Sequence, residues 1–546
     1  MKKLYSFIRL LKDEYILIVA VIIGIIPRTY HLSGQILSGD EWHAIHNALY
    51  NDYRTIISSL GVGSLSIPDS VYYKVMMDTV GLSEMEIRLP PLIFGVLTII
   101  ILPLLVRPLW GRFTSNLFAY LLALSPMLIL YSRYSRPYSA MVLFGFASVT
   151  LFHHWWYFRS RKAFFFYVIL SSLCAYYMII SIPFIVSPFL YFLVVSHIGK
   201  TENRRDSLER IFRIGIATFL SLILLLGFPL YTSFHNLTRL AADQSSAITI
   251  ETILSSLSIF TGKDSLLVTI CLVFFILAGF FRNYRNSNYY FVYLLFLSAI
   301  QIVFIISIRP VAGHGPHIFA RYILLILPVL LLMAAAGVKS LFAFLNGFNW
   351  DWLRPWVAAV LCFLLFCNGP IPSMRFQPNN AMELSLFSYM LFGRDYRYCL
   401  KYLKRIPDFY KQLGIHPPGS LNIVEVPFHI NGYHIPFYQI IHRQNFKYGF
   451  INGLCSGNRE GEIPIDRTDV HFSNFVFLKN FNLLRDYGAH YVIFHKYLED
   501  EVVYTPEHKH QDVFGCIEQY QREFGSPVFE DRDIEVFLIN KPVIGR

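Results

Sequence analysis

The chain has little charge. Asp, Glu, Lys and Arg supply 15% of its 546 residues, against about 25% in an ordinary soluble domain. Cysteine is sparse and unpatterned. The seven cysteines form no CxxC pair and no Cys/His alternation of zinc spacing, so a structural metal is not expected. Cys174, Cys271, Cys362 and Cys367 lie in apolar runs and read as packing residues. Cys399, Cys455 and Cys516 stand in the C-terminal part and allow at most one bridge among themselves. There is no repeat of solenoid period and no two-half symmetry of a transporter kind. No small-residue cleavage site follows the first apolar stretch, Tyr15 to about Ile26, which is expected to be retained as a helix.

Apolar surface is what the chain has instead. Its residues are 55% hydrophobic and 17% aromatic, with a mean hydropathy of +0.46. This is the composition of a polytopic membrane protein. The net charge of +11 does not point to nucleic acid, because Lys and Arg gather in short loops between apolar runs. From about Ile371 onward, charge, His, Pro and Asn rise to soluble-domain frequency. Two domains are expected: a helical membrane domain over 1–370, with a first outer loop at 34–88, and a soluble domain over 371–546.

At about 20 residues per span, helices are expected near 15–33, 89–106, 113–131, 138–157, 164–181, 183–198, 212–231, 264–281, 289–307, 319–337 and 356–370, about eleven in all. The positive-inside rule places the N-terminal Lys2, Lys3, Arg9 and Lys12 in the cytoplasm. It places there also the later loops holding Arg107 and Arg112, Arg159 to Lys162, Lys200 to Arg213, and Arg282 and Arg285. The loops at Asp40–Glu41, Arg133–Arg136 and Val311–His317 then face outside, and with an odd span count the C-terminal domain does too. In that domain, strand-like runs at Asn422–Val426, Phe475–Leu478, His490–Phe494 and Ile534–Leu538 alternate with helical runs at Tyr396–Leu413 and Asn482–Tyr487. This predicts a small α/β domain.

Adjacent carboxylates at a membrane exit are costly, so Asp40 and Glu41 mark a candidate site. Around them the order of motifs resembles the glycosyltransferase C (GT-C) superfamily, in its protein O-mannosyltransferase and aminoarabinose-transferase group. After Asp40-Glu41 comes Gly81-Leu82-Ser83-Glu84-Met85-Glu86-Ile87-Arg88-Leu89-Pro90-Pro91, similar to the family's G-x-S-E-x-x-x-R-L-P. Leu124-Ser125-Pro126 and Tyr131-Ser132-Arg133-Tyr134-Ser135-Arg136-Pro137-Tyr138 follow, resembling L-S-P…Y-S-x-x-x-R-x-Y. Arg321-Tyr322 also looks familiar. Where many relatives carry a basic residue before Pro-Pro-Leu-Tyr-Tyr, the chain reads Ser66-Ile67-Pro68-Asp69-Ser70-Val71-Tyr72-Tyr73.

The resemblance implies a GT-C membrane enzyme that moves one sugar from a polyprenyl-phosphate donor to a lipid, glycan or protein acceptor outside the cell (inner) membrane. Asp40 is the candidate general base, since an acceptor hydroxyl is a poor nucleophile. Glu41 orients Asp40, raises its pKa by like-charge proximity, or faces water. Arg136 and Tyr138 are candidate contacts to donor phosphate or acceptor, whereas Arg133 reads as a headgroup anchor. Arg309, His314, His317 and Arg321 converge on one outer loop, as a phosphate clamp or as a basic rim on lipid headgroups, and Tyr72 is a further substrate contact. His43 and His46, with Asp40, are an incomplete set for a divalent cation and form the weaker alternative to a metal-free site. The partners expected are the lipid-linked donor, the acceptor and membrane lipids. The rival readings are a flippase or transporter for a lipid-linked glycan and a non-catalytic scaffold in cell-envelope glycan assembly. An oligosaccharyltransferase is disfavoured by the lack of a Trp-Trp-Asp triplet in the outer domain.

Overall fold

The structure is a computed structural model. It describes residues 2–30, 51–60, 66–198, 204–242, 247–262, 266–285, 288–310, 315–344, 350–373, 407–426, 442–450, 475–477, 481–498 and 513–541, with isolated positions at 32, 41, 47, 48, 313, 438, 501 and 502. The chain divides into two compact units. One comprises Met1–Tyr30, Asn51–Val71 and Arg88–Ser373; the other comprises His31–Tyr50, Tyr72–Ile87 and Met374–Arg546. The second unit draws on parts of the first outer segment as well as on the C-terminal third.

The first unit is helical because its runs are apolar, and lipid demands that backbone groups bond within the segment. Among the described residues, six helices are long and apolar enough to cross a membrane: Met85–Trp110, Ile179–His197, Arg205–His235, Leu266–Arg285, Tyr289–Ile308 and Leu324–Phe342. The pair Arg112–Leu124 and Pro126–Ser132, bent by 59°, makes a seventh if it is one span. The chain is therefore a multi-pass membrane protein. The other expected spans fall on the helices Lys2–Thr29, Tyr138–Phe158, Arg161–Tyr177 and Arg354–Cys367. A further helix at Ile250–Phe260, too short to register as a span, packs beside Pro316–Tyr322, where Ser256 Oγ donates to Pro316 O at 2.7 Å.

The bend at residue 125 has a chemical cause. Pro126 has no N–H, so the carbonyl of Leu122 lacks its helical donor. Arg28, buried in the first helix, supplies it. Its guanidinium donates to Leu122 O at 3.0 Å, Ala123 O at 2.6 Å, Gly24 O at 2.8 Å and Ser132 Oγ at 3.1 Å. Gly95, on the 84–110 helix, lies so close to Ser132 that a Cβ there would overlap its hydroxyl. One cation thus ties the first helix to the broken one.

The second unit holds a six-stranded sheet of order β3-β2-β1-β4-β8-β7. Its strands are β1 Asn422–Val426, β2 Asn445–Phe450, β3 Phe475–Phe477, β4 Tyr491–His495, β7 Phe529–Glu530 and β8 Ile534–Leu538; β5 Tyr497–Leu498 and β6 Glu501–Val502 form a separate ribbon. The first four strands in that order run parallel, and β8 and β7 add antiparallel. Period-2 alternation sends Val424, Val426, Val492 and Phe494 into a core with Leu484, Cys516, Ile517 and Tyr520. Glu425 and His495 therefore point to the other face, toward the helix Asp408–Leu413. The C-terminal helical run was expected to begin at Tyr396; the described part of it is Asp408–Leu413.

Arg28→Met keeps length and loses every donor. Each buried carbonyl left unpaired costs about 1–3 kcal/mol, so thermal unfolding in detergent is expected several degrees lower. In a Pro126→Ala background, where a backbone N–H can serve Leu122, the same substitution should cost less. Equal losses in both backgrounds would contradict this account of Arg28.

Candidate active site

The stretch 81–91 builds rather than binds. Gly81 sits at φ +90°, a backbone state that side chains resist. Ser83 and Glu86 form a capping box at the start of the next helix. The Glu86 carboxylate accepts from the Ser83 N–H at 3.0 Å and from its hydroxyl. Pro90 and Pro91 then leave the carbonyls of Glu86 and Ile87 without helical donors. The Tyr72 hydroxyl donates to Glu86 O at 3.0 Å and the Tyr73 hydroxyl to Ile87 O at 3.2 Å. Tyr72, expected to meet substrate, has its hydroxyl committed to backbone. Other acids of the outer segment are also in structural use: Asp52 caps the helix Tyr53–Ser58 and Asp78 pairs with Lys74 at 3.7 Å.

The stretch 131–138 splits between structure and site. Arg133 is fully buried and donates to Pro27 O at 2.9 Å and Tyr30 O at 2.7 Å, the last carbonyls of the first helix. It is a cap rather than a headgroup anchor. Arg136, only 8% exposed, lies within electrostatic reach of the buried carboxylate of Asp69. Tyr138 packs on Tyr131 with ring centroids 4.5 Å apart. Its hydroxyl is buried and has no hydrogen-bond partner among the described residues. Tyr322 interacts electrostatically with Tyr138, Arg321 and Arg136, and the Arg321 guanidinium lies 5.6 Å from the Tyr322 ring centre. Tyr177 feels the Asp69 charge. Arg136, Asp69, Tyr138, Arg321, Tyr322 and Tyr177 thus form one cluster within the first unit.

Asp69 is the member that sequence reasoning missed. Its Oδ2 accepts from Ser66 Oγ at 3.0 Å, a Ser-x-x-Asp box at the start of the helix Ile67–Thr79. Capping explains the residue type; it does not explain a carboxylate buried beside Arg136. The signal available was the missing basic residue in this loop. Burial pushes the Asp69 carboxyl up to about 6, against the opposing pull of the Ser66 hydrogen bond and the Arg136 charge.

The remaining expected residues lie apart or beyond view. Glu41 is fully buried and so does not face water. Asp40, His43, His46 and His314 lie outside the described residues. His317 and Arg321 share the helix Pro316–Tyr322. Arg309 closes the helix Tyr289–Ile308 in a left-handed conformation, φ 44°, and is exposed. No group of three metal-type ligands occurs among the described residues.

The second unit carries its own buried polar network. The Tyr410 hydroxyl donates to Glu425 Oε2 at 2.9 Å, and His495 Nε2 lies 2.7 Å from that oxygen. Tyr438 stacks on Tyr410 with centroids 4.2 Å apart. Glu425 and His495 sit toward the C-terminal ends of β1 and β4, where the strand order reverses. Glu425 stands between two valines and His495 closes its strand before Lys496, so no local motif announces the network.

Fold and cluster together define a multi-pass membrane protein with an α/β unit and a buried Arg–Asp–Tyr cluster in its helical part. No family model and no curated protein matches the chain. Among solved structures, ArnT from Cupriavidus metallidurans in the apo state is similar over 100% of this chain and 100% of its own, at 11% identity and a TM-score of 0.49. ArnT from the same organism bound to undecaprenyl phosphate is similar over 97% of this chain and 98% of its own, at 12% identity and a TM-score of 0.47.

Because Asp69 holds its proton more tightly when folded than when unfolded, it favours the folded state at low pH. That advantage fades as pH rises from about 4 to about 6. Asp69→Asn stays neutral throughout. Its stability relative to wild type is expected to rise across this window, by up to about 2–3 kcal/mol, and to level off above it. Thermal unfolding between pH 4 and pH 8 checks this; a gap that does not change with pH would contradict it.

Proposed function

We propose that this protein is a membrane glycosyltransferase that moves a single sugar from a polyprenyl-phosphate donor to an acceptor on the outer side of the cell membrane. The observation that carries the reading is the buried cluster of Arg136, Asp69 and Tyr138. It joins the segment ending at Tyr138, whose motif resembles the GT-C superfamily, to Asp69 of the slot at 66–73, where the chain departs from the family pattern. The Tyr138 hydroxyl has no hydrogen-bond partner among the described residues, and a phosphate would supply its acceptor and suit a guanidinium in the same cluster. Arg321 and Tyr322 add a second cation and a second hydroxyl at the same place.

The chemistry follows from the bond to be broken. The acceptor oxygen attacks the anomeric carbon, and its proton passes to Asp40 as general base. The carbon–oxygen bond to the phosphate breaks on the opposite face of the sugar, so the configuration inverts. The electron pair leaves with the polyprenyl phosphate, and in this proposal Arg136 and Arg321 stabilise its added negative charge. Glu41, buried next to Asp40 in sequence, serves to orient it.

The eleven-span topology with the C-terminal domain outside belongs to the same proposal. Cys516, in that domain, is disulfide-bonded, and disulfides persist in oxidising compartments. Among the described residues, the free cysteines Cys174, Cys271, Cys362 and Cys367 lie in the membrane unit. A transporter would need charge along a path through the spans. Of the charges buried there, Arg28 and Arg133 donate to backbone carbonyls.

The assay is sugar transfer from a polyprenyl-phosphate donor by purified protein in detergent. Asp40→Asn is expected to keep donor binding and lose roughly two to four orders of magnitude in turnover, and Glu41→Gln to lose less. Arg136→Ala should weaken donor binding more than acceptor binding. Near-normal turnover by Asp40→Asn would remove the mechanism and favour the scaffold.

A further inference from the structure

The first unit has an apolar groove of about 1050 Å³ between the helices 2–29, 112–124 and 354–367. Ile16, Ile23, Leu117, Ala358 and Phe363 are among the residues that line it. Its charge lies at one end only. Arg112 and Arg354 line that end, and the Lys339 ammonium lies beside Gly111 next to them. The acid nearby, Glu14, is paired with Arg107 at 2.5 Å and also feels Arg112. Counting Asp13 and Asp351 with Glu14, the basic residues Arg107, Arg112, Lys339 and Arg354 still outnumber the acids at this end. Trp352 and Trp356, flanking Arg354, are each 64% exposed, the placement of aromatic anchors at a membrane interface.

The other end, at Pro27, Leu124 and Phe366, is apolar. Arg28, next to Pro27, is turned away into the Leu122 and Ala123 carbonyls. From Arg112 to Leu124 the helix rises about 18 Å. One leaflet contributes about 15 Å of hydrocarbon, so the groove is one leaflet deep with its cations at the headgroup level. Arg107 and Arg112 belong to a loop that the positive-inside rule assigns to the cytoplasm.

We propose that this groove binds an anionic glycerophospholipid of the cytoplasmic leaflet, with its phosphate between Arg112 and Arg354 and an acyl chain along the 112–124 helix. The site is separate from the Arg136 cluster and does not depend on the transfer reaction. The polyprenyl donor is a poor occupant, because its phosphate would have to lie at the end without cations.

Native mass spectrometry of the full-length protein in detergent tests this, with phosphatidylglycerol and phosphatidylcholine of matched chains as probes. Phosphatidylglycerol should be retained about tenfold more strongly, with the preference shrinking at high salt. Arg112→Ala/Arg354→Ala should remove the preference while leaving sugar transfer measured without added lipid unchanged. Should that variant fold poorly, Ala359→Phe, which narrows the groove and keeps both cations, should lower retention of the lipid. Equal retention of the two lipids by wild type, salt-independent retention, or displacement of phosphatidylglycerol by a polyprenyl monophosphate would each overturn the proposal.

Discussion

A proline inside a membrane helix strips one carbonyl of its donor, and lipid offers no replacement. Much of this structure follows from that constraint. Pro126 orphans Leu122, and Arg28 comes from the first helix to serve it. Pro90 and Pro91 orphan Glu86 and Ile87, and Tyr72 and Tyr73 serve them from the preceding outer helix. Pro188 orphans Phe184, and the neighbouring Ser187 hydroxyl serves it at 2.7 Å. Where the donor comes from a distant segment, the repair is also a tether, so satisfying the backbone and positioning that segment are one event.

The candidate site inherits its geometry from these repairs. The bent segment carries Arg133 and Arg136 only a few residues beyond the Pro126 break. Arg133 caps the first helix, and Arg136 lies within electrostatic reach of Asp69. The Ser66–Asp69 box begins the helix whose later turn delivers Tyr72 and Tyr73. A chain of structural contacts thus ends at a cluster in which the Tyr138 hydroxyl has no protein partner among the described residues. Such a hydroxyl is costly unless a ligand or water completes it, and that cost sets the cluster apart from the satisfied Tyr410–Glu425–His495 network.

The helical unit was largely legible because apolar runs of span length carry a strong signal. Helices lie at all eleven expected places, while Ile250–Phe260 escaped notice because eleven residues do not make a span. Strands at 422–426 and 534–538 were legible from β-branched alternation. The site was less so. Arg28 sits in an apolar run and reads as an ordinary helix end; its role appears only when Pro126 is brought beside it. Asp69 reads as one of many loop acids until burial sets it against Arg136. Tyr72, expected as a substrate contact, also has a structural use that its sequence context does not announce, since its hydroxyl donates to Glu86 O. Residues that act through distant backbone leave no local pattern to read.

The central claim is that the Arg136 cluster receives a lipid-linked phosphate. A structure determined with a polyprenyl monophosphate present tests it most directly. The account predicts phosphate density within hydrogen-bonding distance of Arg136 and the Tyr138 hydroxyl. Phosphate density at Arg112 and Arg354 instead, or a lipid that binds tightly without approaching Arg136, would contradict it.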